Sequence, residues 1–148
     1  MAANLKLAWR EIRIDPLFNA GYDGRDVLTS TLKARNVRAT PGRQVGVWVK
    51  AQRGVRTLAG ALGAEFMPDQ SGQLTVMVLV SSDERPDPQQ GAYACLPRAL
   101  AQRVLDGALA VEEIAALGAG VLRFDRAWLY PGASTFELFS WMAGAVVR

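Results

Sequence analysis

Two segments in the middle of the chain have patterns of apolar and polar residues that are typical of strands. Residues 45–51 place Trp48 on one face and Val47 and Val49 on the other, a period of two that predicts a strand. Residues 74–80, LTVMVLV, are rich in β-branched side chains and apolar at nearly every position. Because a strand in the middle of a sheet is covered on both faces, this run predicts a buried central strand.

The end of the chain is predicted to form a hairpin. Residues 121–130, VLRFDRAWLY, alternate apolar residues with charged or small ones, as a half-buried strand does. Residues 131–135 contain proline, glycine and small polar residues and predict a turn, after which 136–147, FELFSWMAGAVV, returns as the second strand. Both strands are expected to belong to the same sheet.

Apolar residues recur at helical spacing in three other segments. Pro97 opens an amphipathic helix that Gly107 is expected to break before residues 111–117 resume it. A short amphipathic helix is predicted over 26–35. Residues 55–66 also have helical spacing, although two glycines weaken a helix there by about 1 kcal/mol each.

Together these elements predict an α/β (α+β) fold in a single compact domain over 1–148, with a mostly antiparallel sheet of about four strands packed by two or three helices. The N-terminal segment 1–22 is of uncertain structure, because residues 5–14 fit both the helical and the strand period. Residues 81–92 contain two prolines, two glutamines and three acids, and they predict an exposed acidic loop.

Charge is unevenly distributed along the sequence. The net charge is +3, yet residues 27–64 contain seven basic residues and no acid, whereas the chain that follows is net acidic. Such asymmetry is compatible with faces that differ by chance, or with a surface that meets a polyanion or an acidic copy of the same protein. The candidate interface or DNA-facing residues are Lys33, Arg35, Arg38, Arg43, Lys50, Arg53 and Arg56.

The sequence contains little that could support catalysis. It has no histidine and one cysteine, which removes the commonest proton shuttle and the usual zinc sites. Asp83, Glu84 and Asp87 could hold a hard cation through oxygen ligands, but their spacing fits no calcium loop. Cys95 precedes a helix that could lower its thiol pKa, yet a small buried hydrophobe is the favoured interpretation. We therefore predict that the protein is not an enzyme and that it has no catalytic, cofactor-binding or metal-binding residues and no cofactor.

Neither export nor membrane insertion is predicted. The N-terminal residues lack the basic region, apolar stretch and cleavage site of a secretory signal. The longest apolar stretches are shorter than a bilayer span or are interrupted by polar residues. A single cysteine cannot form an internal disulfide, which fits a reducing compartment. We expect a protein that stays in a cytoplasm and does not bind a membrane.

The order of the predicted elements resembles that of one protein family. A short helix near 26–35 precedes a strand, a buried strand, an acidic loop, a helix and a terminal hairpin, and the best local matches are RQVGVWVKA, GQLTVMVLVSS and RALAQRVLDGAL. This pattern resembles the lambda-type tail terminator proteins of long-tailed bacteriophages. The resemblance implies a compact α/β protein, made in the host bacterial cytoplasm, that forms a homohexameric ring in the virion tail.

The resemblance also implies the partners of such a ring. It would cap the head-proximal end of the tail tube, stop its polymerisation and join the tube protein to the head-tail connector protein, while DNA passes through the lumen without sequence specificity. Basic residues between 33 and 56 would then lie near the lumen or contact the acidic surface of the next copy. No functional residue of the family is transferred to this sequence.

Two other functions are compatible with the sequence. A small nucleic-acid-binding module would use the basic segment 33–56, provided that its side chains converge on one face, and would bind DNA in a salt-dependent way. An immunity or inhibitor-type protein-binding domain would use the acidic loop at 83–87 and would form a heterodimer instead of a ring.

Overall fold

A computed structural model of the chain describes residues 9–15, 20–34, 41–53, 55–88 and 91–147. The elements within these ranges, in chain order, are β1 Trp9–Asp15, β2 Asp26–Lys33, β3 Arg43–Arg53, β4 Arg56–Pro68, β5 Gln73–Asp87, β6 Ala92–Leu96, α1 Arg98–Leu109, a 3₁₀ helix Glu112–Leu117, β7 Gly120–Leu129 and α2 Phe136–Val147.

The described strands form one seven-stranded sheet in the order β1-β3-β4-β7-β6-β5-β2. Neighbouring strands pair antiparallel, except that β5 and β7 also pair in parallel through residues 74–78 and 120–124. The chain therefore crosses over between β5 and β7, by way of β6 and α1. The prediction of a sheet of about four strands is wrong, although the α+β class is broadly compatible with this architecture.

The segments with the strongest patterns form the predicted elements. The alternating segment 45–51 lies within β3, and the apolar run 74–80 is the first half of β5. The helix predicted after Pro97 is α1, although Gly107 lies inside this helix and does not break it. Residues 112–117 form a 3₁₀ helix instead of continuing α1.

Two segments that were predicted to be helical are strands. Residues 26–33 form β2, in which Leu28 and Leu32 are half-buried against the core. These leucines are four residues apart, and both a helix and a strand place residues i and i+4 on the same side, so their spacing does not discriminate between the two structures. Residues 56–68 form β4, and its middle is buried at nearly every position because both faces of this strand are covered.

The predicted second strand of the terminal hairpin is also wrong, because Phe136–Val147 is the helix α2. The Thr135 hydroxyl accepts a hydrogen bond from the backbone N–H of Leu138 at 3.1 Å, which caps the first turn. Glu137 follows in that turn, where a negative charge favours a helix N-terminus. The buried side chains recur in pairs at helical spacing: Leu138 and Phe139, Met142 and Ala143, Val146 and Val147.

The remaining N-terminal and acidic segments are largely extended. The described part of the uncertain N-terminal segment contains strand β1. The segment 81–92, predicted to be a loop, contains the end of β5 and the start of β6, which pair antiparallel. Among its described acidic side chains, Asp83 and Glu84 are exposed as predicted.

The sheet has two different faces. On the helix face, α1 packs against β5 and β2, while α2 packs against β4 and β3. This face contains the main core, whose largest fully buried side chains include Phe66, Phe124 and Phe139. No described helix packs on the other face, which we call the helix-free face; it carries a smaller cluster of Ala20, Trp48, Ala61, Ala92, Ala94 and Trp128.

Replacing Gly107 by alanine is expected to destabilise the protein. A methyl group at Gly107 would overlap the backbone carbonyl oxygen of Ser140 on α2, so the two helices would have to move apart. Alanine normally favours a helix by about 1 kcal/mol relative to glycine, but this overlap should reverse the sign and cost about 1–3 kcal/mol. Urea denaturation measures the change.

Gly144→Ala is the matched control for Gly107→Ala. The nearest atom to a methyl group there is the side-chain Cγ2 of Val111, at 2.9 Å, and a side chain moves more easily than backbone. A Gly107→Ala variant as stable as the wild type would show that the helices are not in such close contact.

Candidate functional site

The two edges of the sheet are open in the described part of the chain. The strand β1 pairs only with β3, and β2 pairs only with β5, so the outer backbone N–H and C=O groups of both strands have no described strand beside them. Open edges are sites at which another chain can add a strand.

The β1 edge carries two exposed isoleucines. Ile12 and Ile14 lie opposite Val49 and Val47 of β3, whose side chains belong to the main core, so both isoleucines point to the helix face. The helix layer ends over β3, and Ile12 remains 39% and Ile14 72% exposed. Singly exposed apolar residues are ordinary, but this pair adjoins an unpaired backbone edge.

The opposite face of β1 is charged. Glu11, Arg13 and Asp15 alternate with the isoleucines and are exposed. The guanidinium of Arg13 stacks over the ring of Trp48 at 3.8 Å from its centroid, and the indole N–H of Trp48 donates to the hydroxyl of Tyr130 at 2.7 Å. The stacking fixes β1 against the helix-free face of β3.

The β2 edge is apolar on one face and hydroxyl-rich on the other. Leu28 and Leu32 pack partly against the core. Thr29, Thr31 and Lys33 are exposed on the helix-free face, opposite β5 side chains that include Thr75. Along the eight residues of this strand, every second residue points its backbone N–H and C=O groups to the open side.

The strands at the two open edges, β1 and β2, run in the same direction. Passing from β1 to β2, each step reverses the strand direction except that from β7 to β5, which are parallel. Four reversals return the original direction. The strands β1 and β2 consequently run in the same direction, and Asp15 terminates β1 while Lys33 terminates β2. They are offset along that direction, because the pairings across the sheet place Asp15 at about the level of Asp26, where β2 begins.

The predicted basic segment does not form a single patch among the residues that the structure describes. Lys33 and Arg43 lie toward the end of the sheet at which β2 finishes, whereas Lys50 and Arg56 lie toward the opposite end. Arg53 is also at that opposite end by its backbone. The other two candidates of this segment, Arg35 and Arg38, lie outside the described residues.

Arg43 has a structural contact. Its guanidinium donates to the backbone carbonyl of Val147 at 3.5 Å, at the C-terminus of α2. A cation there interacts favourably with the carbonyl end of the helix. This position explains one basic residue of the segment without reference to a nucleic acid.

A polar cleft opens where β5 and β6 separate beside β7. Its volume is about 1100 Å³, and it is lined by residues including Tyr22, Asp83, Arg85, Arg123, Asp125 and Arg126. Gly21 bridges to Arg126 of β7 in this gap, so the segment before β2 forms one wall. No local sequence pattern predicts this cleft, because its walls come from distant parts of the chain.

Arg126 is the most buried charged residue of the cleft. Its Nε donates to the Asp125 carboxylate at 3.1 Å, and its terminal nitrogen donates to the carbonyl of Ala64. The side chain is 7% exposed and lies against Gly63, which leaves room for it beside a bulge between β4 and β7. These contacts satisfy the buried guanidinium within the protein.

Arg123, Asp83 and Arg85 of the cleft also have polar partners. Arg123 lies 3.3 Å from both the Glu65 and the Asp125 carboxylates, although its Nε makes no well-aligned hydrogen bond. Arg25 pairs with Asp83 at 2.8 Å, and Arg85 donates to the carbonyl of Gly21. The ion pairs and hydrogen bonds around the cleft therefore hold the segment before β2 against the sheet.

Tyr22 and Cys95 are the two buried groups with strongly shifted acidity. Burial raises the pKa of the Tyr22 hydroxyl far above its ordinary value, and the negative charge of Asp125 raises it further. The hydroxyl donates to the carbonyl of Leu79 at 2.7 Å. Burial, and then the charge of Glu84, raises the pKa of the Cys95 thiol to about 11. Both groups are thus protonated near neutral pH.

The Cys95 thiol is expected to be unreactive in the folded protein. Its side chain is fully buried on β6, and only the thiolate reacts with a disulfide reagent. Since the folded pKa lies above the ordinary value of 9.0, stability should fall as the pH rises from about 9 toward 11. Labelling by an aromatic disulfide at pH 8 should require denaturant; rapid labelling of the native protein would contradict this result.

Arg126→Met is expected to lower the free energy of unfolding by about 3 kcal/mol, because it leaves the half-buried Asp125 carboxylate without its closest cation. Arg123→Met is the matched control on the same strand, and a smaller loss is expected because the Arg123 side chain is 37% exposed. Chemical denaturation of both variants checks the difference. Equal losses would mean that the burial of Arg126 does not determine the energetics of the network.

The described residues contain neither a cluster of metal ligands nor a membrane-spanning helix. No group of three Cys, Asp or Glu side chains within the described ranges is arranged to hold a metal ion. No helix in the same ranges is long and apolar enough to cross a membrane. Comparison of the chain with family models, curated proteins and solved structures gave no significant match.

Proposed function

We propose that the protein is a non-enzymatic assembly protein whose copies join into a homo-oligomeric ring. The observation that carries this proposal is the pair of open sheet edges, of seven and eight residues, which run in the same direction. A ring of identical subunits needs two different, complementary surfaces on each copy. The open edges provide such a pair of surfaces on one domain.

The resemblance to phage tail terminators gives this ring its proposed role. A ring of six copies caps the head-proximal end of the tail tube and contacts the tail tube protein and the head-tail connector protein, while DNA passes through its lumen. The three segments that best match the family lie in β3, β5 and α1. The matched short helix near 26–35, however, is a strand, and the second strand of the predicted terminal hairpin is the helix α2. The open edges therefore support the proposal of a ring, whereas its proposed place in a virion is supported by the sequence resemblance.

The two alternative functions have less support from the geometry. A nucleic-acid module requires one convergent basic surface, and the described basic residues are divided between opposite ends of the sheet. An inhibitor that acts through the acidic segment needs side chains that are not engaged elsewhere, yet Asp83 pairs with Arg25. Self-association accounts for the two open edges and for the exposed isoleucines of β1, which neither alternative explains.

Electron microscopy of the purified protein tests the ring. Negatively stained particles at high protein concentration and low salt should be closed rings with sixfold averages. Particles of monomer size, or open filaments, would contradict closure. Immunogold labelling of virions from the source culture then tests the location: label at the head-tail junction is expected, and label elsewhere would contradict the terminator role.

A further inference from the structure

We infer that the β2 edge of one copy pairs in parallel with the β1 edge of the next, so that the sheet continues from subunit to subunit. This inference rests on the proposed self-assembly and specifies its interface. The partner is a second copy of the same chain, bound through backbone hydrogen bonds between two strands of nearly equal length.

Strand direction determines the sense of the pairing. When β2 of one copy is followed by β1 of the next in a continued sheet, the two strands are parallel because both run toward the same end of the sheet. A two-fold pairing of β2 with β2, or of β1 with β1, would instead be antiparallel and would produce a closed dimer with two edges still open. Only the head-to-tail pairing uses both edges of every copy.

The side chains of the two edges are complementary in this arrangement. Faces are preserved across a continued sheet, so Ile12 and Ile14 come beside the half-buried Leu28 and Leu32 of the neighbour, next to its helix α1. The exposed isoleucines thereby gain the helix cover that they lack within their own subunit.

The two edge strands end in opposite charges. Asp15 ends β1 and Lys33 ends β2, and both side chains are exposed on the helix-free face. Parallel pairing of the two strands over their full length, with the neighbouring copy shifted along the strands, brings this acid of one copy close to this base of the next.

Disulfide trapping tests the pairing. In a Cys95→Ala background, chains with Asp15→Cys are mixed with chains that carry Thr31→Cys or Lys33→Cys and are mildly oxidised. Disulfides need Cα atoms within about 4.4–6.8 Å, so only facing residues are trapped. We expect a cross-link between the two kinds of chain, and none between Asp15→Cys and Val27→Cys chains.

Two single substitutions test the antiparallel alternatives. Thr29→Cys, near the middle of β2, and Ile12→Cys, in the middle of β1, should not cross-link to themselves, as they would in two-fold pairs. Circular dichroism confirms that each variant is folded before oxidation.

The outcomes distinguish this inference from the proposed function. Suppose first that the Cys95→Ala protein is multimeric by mass. The parallel pairing is then wrong, while self-assembly stands, if Thr29→Cys or Ile12→Cys chains cross-link to themselves or if Asp15→Cys chains cross-link to Val27→Cys chains. The same conclusion follows if no edge cross-link forms at all. If the protein is a monomer by mass at all concentrations, the proposed function fails and the interface fails with it.

Discussion

Replacing Val78 by aspartate is expected to prevent folding. Val78 is fully buried in β5, between Leu28 of β2 and Phe124 of β7, and only apolar side chains face it across the sheet. A carboxylate buried there without a partner should cost at least about 4 kcal/mol. This is comparable with the total stability of about 5–15 kcal/mol that a domain of this size usually has.

Far-ultraviolet circular dichroism and the soluble yield measure the effect of Val78→Asp. Gln73→Asp is the control, because it introduces the same side chain at an exposed position of the same strand and should fold normally. A soluble Val78→Asp variant that unfolds cooperatively would show that β5 is not in the interior of the sheet.

The double variant Ile12→Glu, Ile14→Glu is expected to fold normally but to lose assembly. Full burial of an isoleucine contributes about 1.5–3 kcal/mol, so two partly exposed isoleucines at each contact can supply several kcal/mol of association. Two glutamate side chains would remove this apolar contribution to association and would place charge against the half-buried leucines of β2. Because each 1.4 kcal/mol is a factor of ten, association should weaken by about 100-fold or more.

Light scattering coupled to size exclusion measures the loss. Val55→Glu is the matched control, since Val55 is fully exposed in the turn between β3 and β4, beyond the β3 residues that pair with β1. It should assemble like the wild type. A double variant of wild-type mass would show that the β1 edge takes no part in the contact.

The sequence predicted those elements whose period is unambiguous. β3 has Val47 and Val49 on one face and Trp48 on the other, the first half of β5 is a β-branched apolar run, and α1 follows a proline with apolar residues at helical spacing. In each of them, local preference and tertiary burial agree, so that the pattern is sufficient.

The failures have two physical causes. In β2 and β4, apolar residues four apart satisfy both periods, and burial of β4 on both faces removes the alternation that would identify a strand. In α2, the aromatic and apolar composition favours a strand, whereas the cap at Thr135 and the paired burial of 138–147 favour a helix. The cap and the helical spacing are present in the sequence, but the apolar composition of the same segment fits a buried strand.

The candidate site was less predictable than the fold. The basic segment is contiguous in sequence, but its described residues lie on β2, β3 and β4, and these strands separate them to opposite ends of the sheet. The exposed isoleucines lie in the segment whose period was ambiguous. An isoleucine is exposed or buried according to where the helix layer ends, which is a property of packing that no local pattern encodes.

The mass of the protein in solution tests the central claim most directly. Sedimentation velocity of the wild type, over a wide range of concentration at low salt, should show one species of about six times the 16.0 kDa chain mass, with no series of larger polymers, because a ring closes. A single species of chain mass at every concentration would contradict the account, and so would a ladder that grows without limit.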